Sequence, residues 1–189
     1  MTEQKKLQQE IDGNCSDEED VMYDKLQHSF PYLDLFIQET LRMFPIGNIA
    51  CTRRCIASTD VCGIPIEKGL MTRRTCLLFL FASSYVDSII QMDMYSLHFS
   101  SELWGPVDPD VFFPDRHKSK RHRLANVSFG CGPKNCVGQR FALLIIKSTL
   151  VRLLRQFTVL PGLHIDQLLD IQERSVITPR EVRIRVQRR

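Results

Sequence analysis

Phe129-Gly-Cys-Gly-Pro-Lys-Asn-Cys136-Val-Gly138 sets a cysteine in a glycine-rich loop directly ahead of a long amphipathic stretch, and the rest of the chain is read outward from it. Val137, Phe141, Leu144, Ile145, Thr149, Val151, Leu153, Leu154 and Phe157 recur at helical spacing, with Gln139, Arg140, Lys147, Arg152 and Arg155 on the other side. That pattern predicts a long amphipathic helix directly after the loop, with Cys136 at its N-terminus. Free amide N–H groups and the positive end of the helix dipole favour a thiolate there, the form of cysteine that binds metal. Gly132 and Gly138 permit backbone geometry and a close approach that a Cβ would block, which suits a flat cofactor against the loop. A buried structural cysteine beside an ordinary helix cap is the competing reading of Cys-x-Gly taken alone.

Three further segments weigh against that alternative. Glu39-Thr-Leu-Arg-Met-Phe-Pro45 carries Glu-x-x-Arg, whose spacing puts both charges on one helix face. Phe112-Phe-Pro-Asp-Arg116-His117 follows downstream, and Arg53-Arg54-Cys55 with Gly63-Ile-Pro-Ile-Glu-Lys-Gly69 lies between. Together with the cysteine loop these resemble, in order and rough spacing, the cytochrome P450 family. Its haem-ligand signature is Phe-x-x-Gly-x-Arg-x-Cys-x-Gly, matched by Phe129, Gly132, Cys136 and Gly138, with Lys134 in place of Arg. The segment at Phe112 resembles the family's Phe-x-Pro-Glu-Arg-Phe, with Asp115 for Glu and His117 for Phe. The flavour is that of the animal microsomal group holding the CYP3-type and thromboxane-synthase-like enzymes.

The resemblance implies haem as cofactor and Cys136 as the axial iron ligand, catalytic through its sulfur. A thiolate ligand pushes electron density towards iron and favours O–O cleavage in a monooxygenase. It further implies that Arg116 joins Glu39 and Arg42 in a buried charge network behind the haem loop, and that Arg53 faces a haem propionate. Lys134 would meet a propionate as a point charge without the planar fork of Arg, which predicts weaker haem retention. The implied partners are a small lipophilic substrate and a flavoprotein donor of the NADPH-cytochrome P450 reductase type. The implied location, for the full-length family, is the cytoplasmic face of the endoplasmic reticulum membrane.

The implied fold is mainly α with small β-sheets near residues 49 to 66 and at the C-terminus, the C-terminal part of the family's fold and incomplete. At 189 residues, 43% apolar and 25% charged, the composition is that of an ordinary globular domain. A complete family member is more than twice as long. Glu3-Gln-Lys-Lys-Leu-Gln-Gln-Glu-Ile-Asp12 resembles the helix just after the oxygen-activating helix, so the resemblance covers the proximal half, and no apolar N-terminal anchor is read. A non-catalytic haem-binding or interaction fragment, or a partial gene product, is the alternative to an active monooxygenase. The layout divides into residues 1–71 with the helices and β region, 72–94, 95–138 with the meander and cysteine loop, and 139–189 with the last helix and strands. Residues 72–94 match nothing in the family pattern. They read as a buried strand, an inserted membrane-touching loop or translated non-coding sequence, the last favoured by clean spacing on both sides.

The remaining signals are weaker. Asn14-Cys-Ser-Asp-Glu-Glu-Asp20 reads as an acidic linker without calcium-loop spacing. Lys118, Lys120, Arg121 and Arg123, interleaved with His117 and His122, form a basic loop. It lacks stacking aromatics, so no nucleic-acid partner is expected; by resemblance it would help dock the acidic electron donor. Seven cysteines without a Cys-x-x-Cys pair support neither a zinc site nor a disulfide framework, and a charge of +3 is too small to demand a polyanion. In Glu181-Val-Arg-Ile-Arg-Val-Gln-Arg-Arg189 the alternation predicts a strand with one buried face, closing the domain in a hairpin.

Overall fold

Apolar residues one helical turn apart choose the core. In α1 (Glu3–Asn14) they are Leu7 and Ile11, and in α3 (Pro31–Met43) Leu33 and Ile37. With Leu26 of the short α2 (Tyr23–His28), Phe30, and Val151 and Leu154 of α6 (Gln139–Gln156), these side chains form one buried cluster. Pro31 opens α3, where its missing N–H costs nothing. The amides that follow it, Tyr32 and Leu33, donate to the Glu10 carboxylate of α1 at 2.7 and 2.9 Å. The computed structural model describes residues 2–15, 23–47, 52–53, 55–66, 68, 90–162, 170–173 and 176–189.

Two short helices, α4 (Met94–His98) and α5 (Ser101–Trp104), and a 3-10 turn, Pro114–Lys118, pack against the C-terminal half of α3. The described strands pair as four small antiparallel ribbons: β1 (Thr52–Arg53) with β4 (Ile90–Gln91), β2 (Thr59–Val61) with β3 (Ile64–Ile66), β5 (Phe157–Pro161) with β8 (Ile184–Arg188), and β6 (Ile171–Glu173) with β7 (Ile177–Pro179). The architecture is thus helical with small sheets. Much of the stretch 72–94, and the linker residues 16–20, lie outside the described residues, but Ile90 and Gln91 are built into the fold opposite Arg53 and Thr52.

Three local expectations need correction. Helix α6 begins at Gln139: Gly138 is its N-cap, and the Ala142 amide closes the first turn on the Gly138 carbonyl at 2.9 Å. Its apolar set divides into two faces: Val151 and Leu154 enter the core, whereas Val137, Phe141 and Ile145 are open to solvent. Lys147, assigned to the polar side, is buried, with Nζ donating to the Leu26 carbonyl at 3.0 Å and paired with Asp34. The C-terminal strand has no buried face. Its five residues are all exposed; among the described strands β8 pairs with β5 in a two-stranded ribbon, and the neighbouring pair is β6 with β7.

Candidate functional site

Glu39 and Arg42, one turn apart on α3, are fully buried, and Arg116 from the 3-10 turn is 2% exposed. Three buried charges can be held only if every polar atom finds a partner. Glu39 Oε1 accepts from Arg42 Nη2 at 2.9 Å, Arg116 Nε at 2.9 Å and the Phe113 amide at 3.0 Å. Its Oε2 accepts from Arg42 Nε and His117 Nε2, both at 2.9 Å. Burial alone would push the Glu39 carboxyl up, but the bonds from His117, Arg42 and Phe113, with the Arg42 charge, outweigh it and hold it at about 2. A carboxylate has no proton to give, so His117 Nε2 carries the hydrogen.

Arg116 uses all five of its N–H groups. Beyond Glu39, its Nη atoms donate to the carbonyls of Trp104, Val107, Asp108 and Val111 at 2.7 to 3.0 Å. No other side chain offers five donors in one plane. Trp104, 1% exposed, has the Arg42 and Arg121 guanidiniums 5.4 and 5.7 Å from its ring centre, and the edge of His117 beside it. Arg121 is therefore turned inward, with Nη1 donating to the Leu103 and Gly105 carbonyls at 2.9 and 2.8 Å. Of the basic loop, Lys118, Lys120, His122 and Arg123 remain exposed.

The network continues to the cysteine loop through His98. Arg42 Nη1 donates to the His98 carbonyl at 2.7 Å, and the buried His98 ring answers with Nδ1, 3.0 Å from the Arg42 carbonyl. The Val127 amide donates to His98 Nε2 at 3.0 Å, which fixes the Nδ1–H tautomer. Burial, with the Arg42 charge, pushes His98 down to about 4 against the bond to the Arg42 carbonyl, so the ring is neutral. Ser128 Oγ donates to the Leu41 carbonyl at 3.1 Å. The C-terminal turn of α3 thus holds both the charge network and the chain entering Phe129.

From there the loop closes on itself. The Cys136 amide donates to the Phe129 carbonyl at 2.8 Å, and the Asn135 amide to that of Gly132 at 3.1 Å. Gly132 sits at φ +72° with open space where a Cβ would be, so its backbone needs glycine. Gly138, contrary to the sequence reading, has φ −85°, and the nearest atom to an added Cβ is the Cys136 sulfur at 3.9 Å. Cys136 lies two residues before the cap Gly138 rather than at the first helical position. It is exposed, as is every residue from Gly132 to Val137, Lys134 included; Phe129 is half-buried. Arg53 stands on β1, exposed, opposite Ile90.

Among known sequences, the model of the family described as Cytochrome P450 matches residues 2–73 and 85–186. The chain belongs to the cytochrome P450 family. It is 33% identical over 182 residues, 95% of its length, to putative cytochrome P450 cyp-13B1 of Caenorhabditis elegans, covering 32% of that protein. It is 32% identical over 180 residues to cytochrome P450 3A13 of Mus musculus, covering 93% of the chain and 31% of that protein. With cytochrome P450 3A19 of Capra hircus aegagrus it shares 35% over 162 residues, 84% of the chain and 64% of that protein. The chain spans about one third of the length of the first two relatives. The P450 match leaves out residues 74–84 but takes in 72–73 and 85–94, so the stretch without a family counterpart is shorter than the 72–94 read from the sequence.

A P450 is a haem monooxygenase, and the residues around Cys136 fit that group. The sulfur is accessible, the loop beside it is free of side-chain bulk at Gly132, and Val137 and Phe141 offer apolar surface for a ring. No described helix is long and apolar enough to cross a membrane. His98 and His117 were missed as members of the site. His117 entered the sequence reading only as a departure from Phe and as part of a basic loop, and nothing local shows that it reaches a glutamate 78 residues away.

Proposed function

We propose that this chain forms the proximal, cysteine-bearing side of a haem-thiolate monooxygenase, with Cys136 as the axial ligand. One observation carries this: an exposed thiol stands in a loop tied from behind, through Val127, His98 and Arg42, to a fully paired buried charge network. When bound, thiolate-ligated haem supplies dioxygen activation with two delivered electrons. The protein's part is to hold Cys136 against the iron with a loop that cannot drift, and to leave room at Gly132 and Gly138 for the ring. Arg53 and Lys134 face the propionates, and Phe129 lies against the loop behind the sulfur. The electron donor is a flavoprotein of the NADPH-cytochrome P450 reductase type, attracted by Lys118, Lys120 and Arg123. The substrate is a small lipophilic molecule, and the whole protein works at the endoplasmic reticulum membrane.

A second reading, a haem-binding unit without turnover of its own, is favoured by the exposure of Val137, Phe141 and Ile145 beside Cys136. Oxygen activation needs water excluded from the reacting face. The reduced, carbon-monoxide-bound absorption spectrum of the haem-supplied chain, beside a Cys136→Ala variant, tests ligation. A red-shifted Soret band that the variant loses supports thiolate ligation by Cys136; no such band, or the same band in both, removes it. Oxygenated product formed with NADPH and a reductase would then separate the enzyme from the haem-binding unit.

A further inference from the structure

The bond from His117 to Glu39 has no counterpart in the family pattern, where phenylalanine stands at that place and has no hydrogen to donate. The two carboxylate oxygens are unequally served. Among the described residues Oε1 has three donors, whereas Oε2 has Arg42 Nε and His117 Nε2. The His117 side chain is 5% exposed and the Glu39 carboxylate is wholly buried, so water is kept from replacing a lost donor. Resting on the haem-thiolate reading above, we propose that His117 is a positioning residue for the haem loop. Its Nε2–H fixes the Glu39 carboxylate in the plane that Arg42 needs, and Arg42 with His98 sets the backbone of Val127 ahead of Phe129 and Cys136.

The argument turns on the geometry of Arg42. Its Nε and Nη2 meet the two Glu39 oxygens as a fork at 2.9 Å each, an arrangement that requires guanidinium and carboxylate to be coplanar. With the His117 donor gone, three bonds on Oε1 and one on Oε2 leave the carboxylate free to turn towards the crowded oxygen and break the fork. Arg42 cannot turn without disturbing the His98 and Pro109 carbonyls, which it holds at 2.7 and 2.6 Å. His98 in turn carries the Val127 amide. His117 has a second attribute, its ring against Trp104 at 5.2 Å between centres, and this must be separated from the donor.

Two substitutions make that separation. His117→Phe keeps a ring and loses the donor; His117→Gln keeps an N–H donor at similar reach and loses the ring. Amide hydrogen exchange of the haem-free chain, read at Val127 and Cys136, is the first measurement, with haem titration followed by absorbance as the second. We expect exchange at Val127 to rise about tenfold in His117→Phe, the size expected for loss of one hydrogen bond to a charged group, and to stay within about twofold of wild type in His117→Gln. The haem dissociation constant should follow the same order. Unchanged protection in His117→Phe, or equal loss in both variants, would overturn the proposal, the second by assigning the effect to ring packing. If His117→Phe does not fold, His117→Gln decides: wild-type protection supports the donor role and collapse refutes it. Exchange is read without haem, so failure of Cys136 ligation shows as a missing Soret band and leaves the exchange result standing as an independent test of His117.

Discussion

Burial disfavours charge on both His98 and Glu39, which share Arg42 as a neighbour, but their hydrogen-bond partners settle them in opposite ways. The histidine is stable there only as the neutral Nδ1–H tautomer, the glutamate only as the anion. Both therefore have folded pKa values below their ordinary ones, about 4 for His98 and about 2 for Glu39. As pH falls past 6.5, an unfolded His98 takes up a proton while the folded one waits until about 4. The unfolded chain holds more protons in that window, so stability present above pH 6.5 is lost at up to about 1.4 kcal/mol per pH unit on the way down. Glu39 adds a second decline below 4.5, where the unfolded carboxylate protonates and the folded one does not. Urea unfolding of wild type and His98→Gln at a series of pH values checks this. The difference between the two should grow less favourable to wild type between pH 6.5 and 4, and parallel curves would show that His98 does not titrate across folding.

At the scale of elements, what joins the helices is mostly non-local. Glu10 on α1 caps α3 by accepting the Tyr32 and Leu33 amides, and these are among the amides a helix start leaves unpaired. Burial pushes Glu10 up against the pull of the Leu33 amide, which marks a carboxylate held in place for its amide donors rather than for its own hydration. Glu10→Ala should cost about 1–2 kcal/mol in urea unfolding, whereas Glu3→Ala, which removes only the half-exposed pair with Lys6 at 2.9 Å, should cost roughly 0.5 or less. Equal losses would deny the cap. The same distinction explains what the sequence disclosed. The core positions of α1 and α3 follow from helical period, and the Glu39–Arg42 spacing alone places both charges on one face. The buried side of α6 does not follow, because apolar residues lie on more than one face, and only packing decides that Val151 goes in while Phe141 stays out. Lys147 reads as polar surface because its partners, Asp34 and the Leu26 carbonyl, are over a hundred residues away. The C-terminal alternation was legible as a strand, but its burial depended on a layer that a two-stranded ribbon does not have. Of the candidate site, the cysteine loop and the three charges Glu39, Arg42 and Arg116 stand out in the sequence, and the two histidines beside them do not, since each acts through a backbone or carboxylate distant in sequence.

For the whole molecule, the decisive feature is the face beside Cys136. Val137, just before the cap of α6, is 103% exposed, and Phe141 at 68% and Ile145 at 48% follow one turn apart on the helix. Phe141 also lines a groove of about 490 Å³ between α2 and α6, with Tyr23, Leu26, His28, Arg140 and Leu144. Large apolar side chains exposed close together promote association when nothing covers them. Haem on Cys136 would cover Val137 and leave Ile145 open. The haem-free chain should therefore self-associate at tens of micromolar, and the double variant Val137→Lys, Ile145→Lys should not. Both side chains are exposed, so the substitutions should move unfolding stability by no more than about 0.5 kcal/mol, which separates a surface effect from a loss of fold. Sedimentation velocity across a concentration series makes the measurement. A wild-type chain that stays monomeric throughout, or a double variant that associates equally, would mean that the chain buries these side chains by itself; a wild type that associates less once haem is added would place the haem over Val137, on the same side as the Cys136 sulfur.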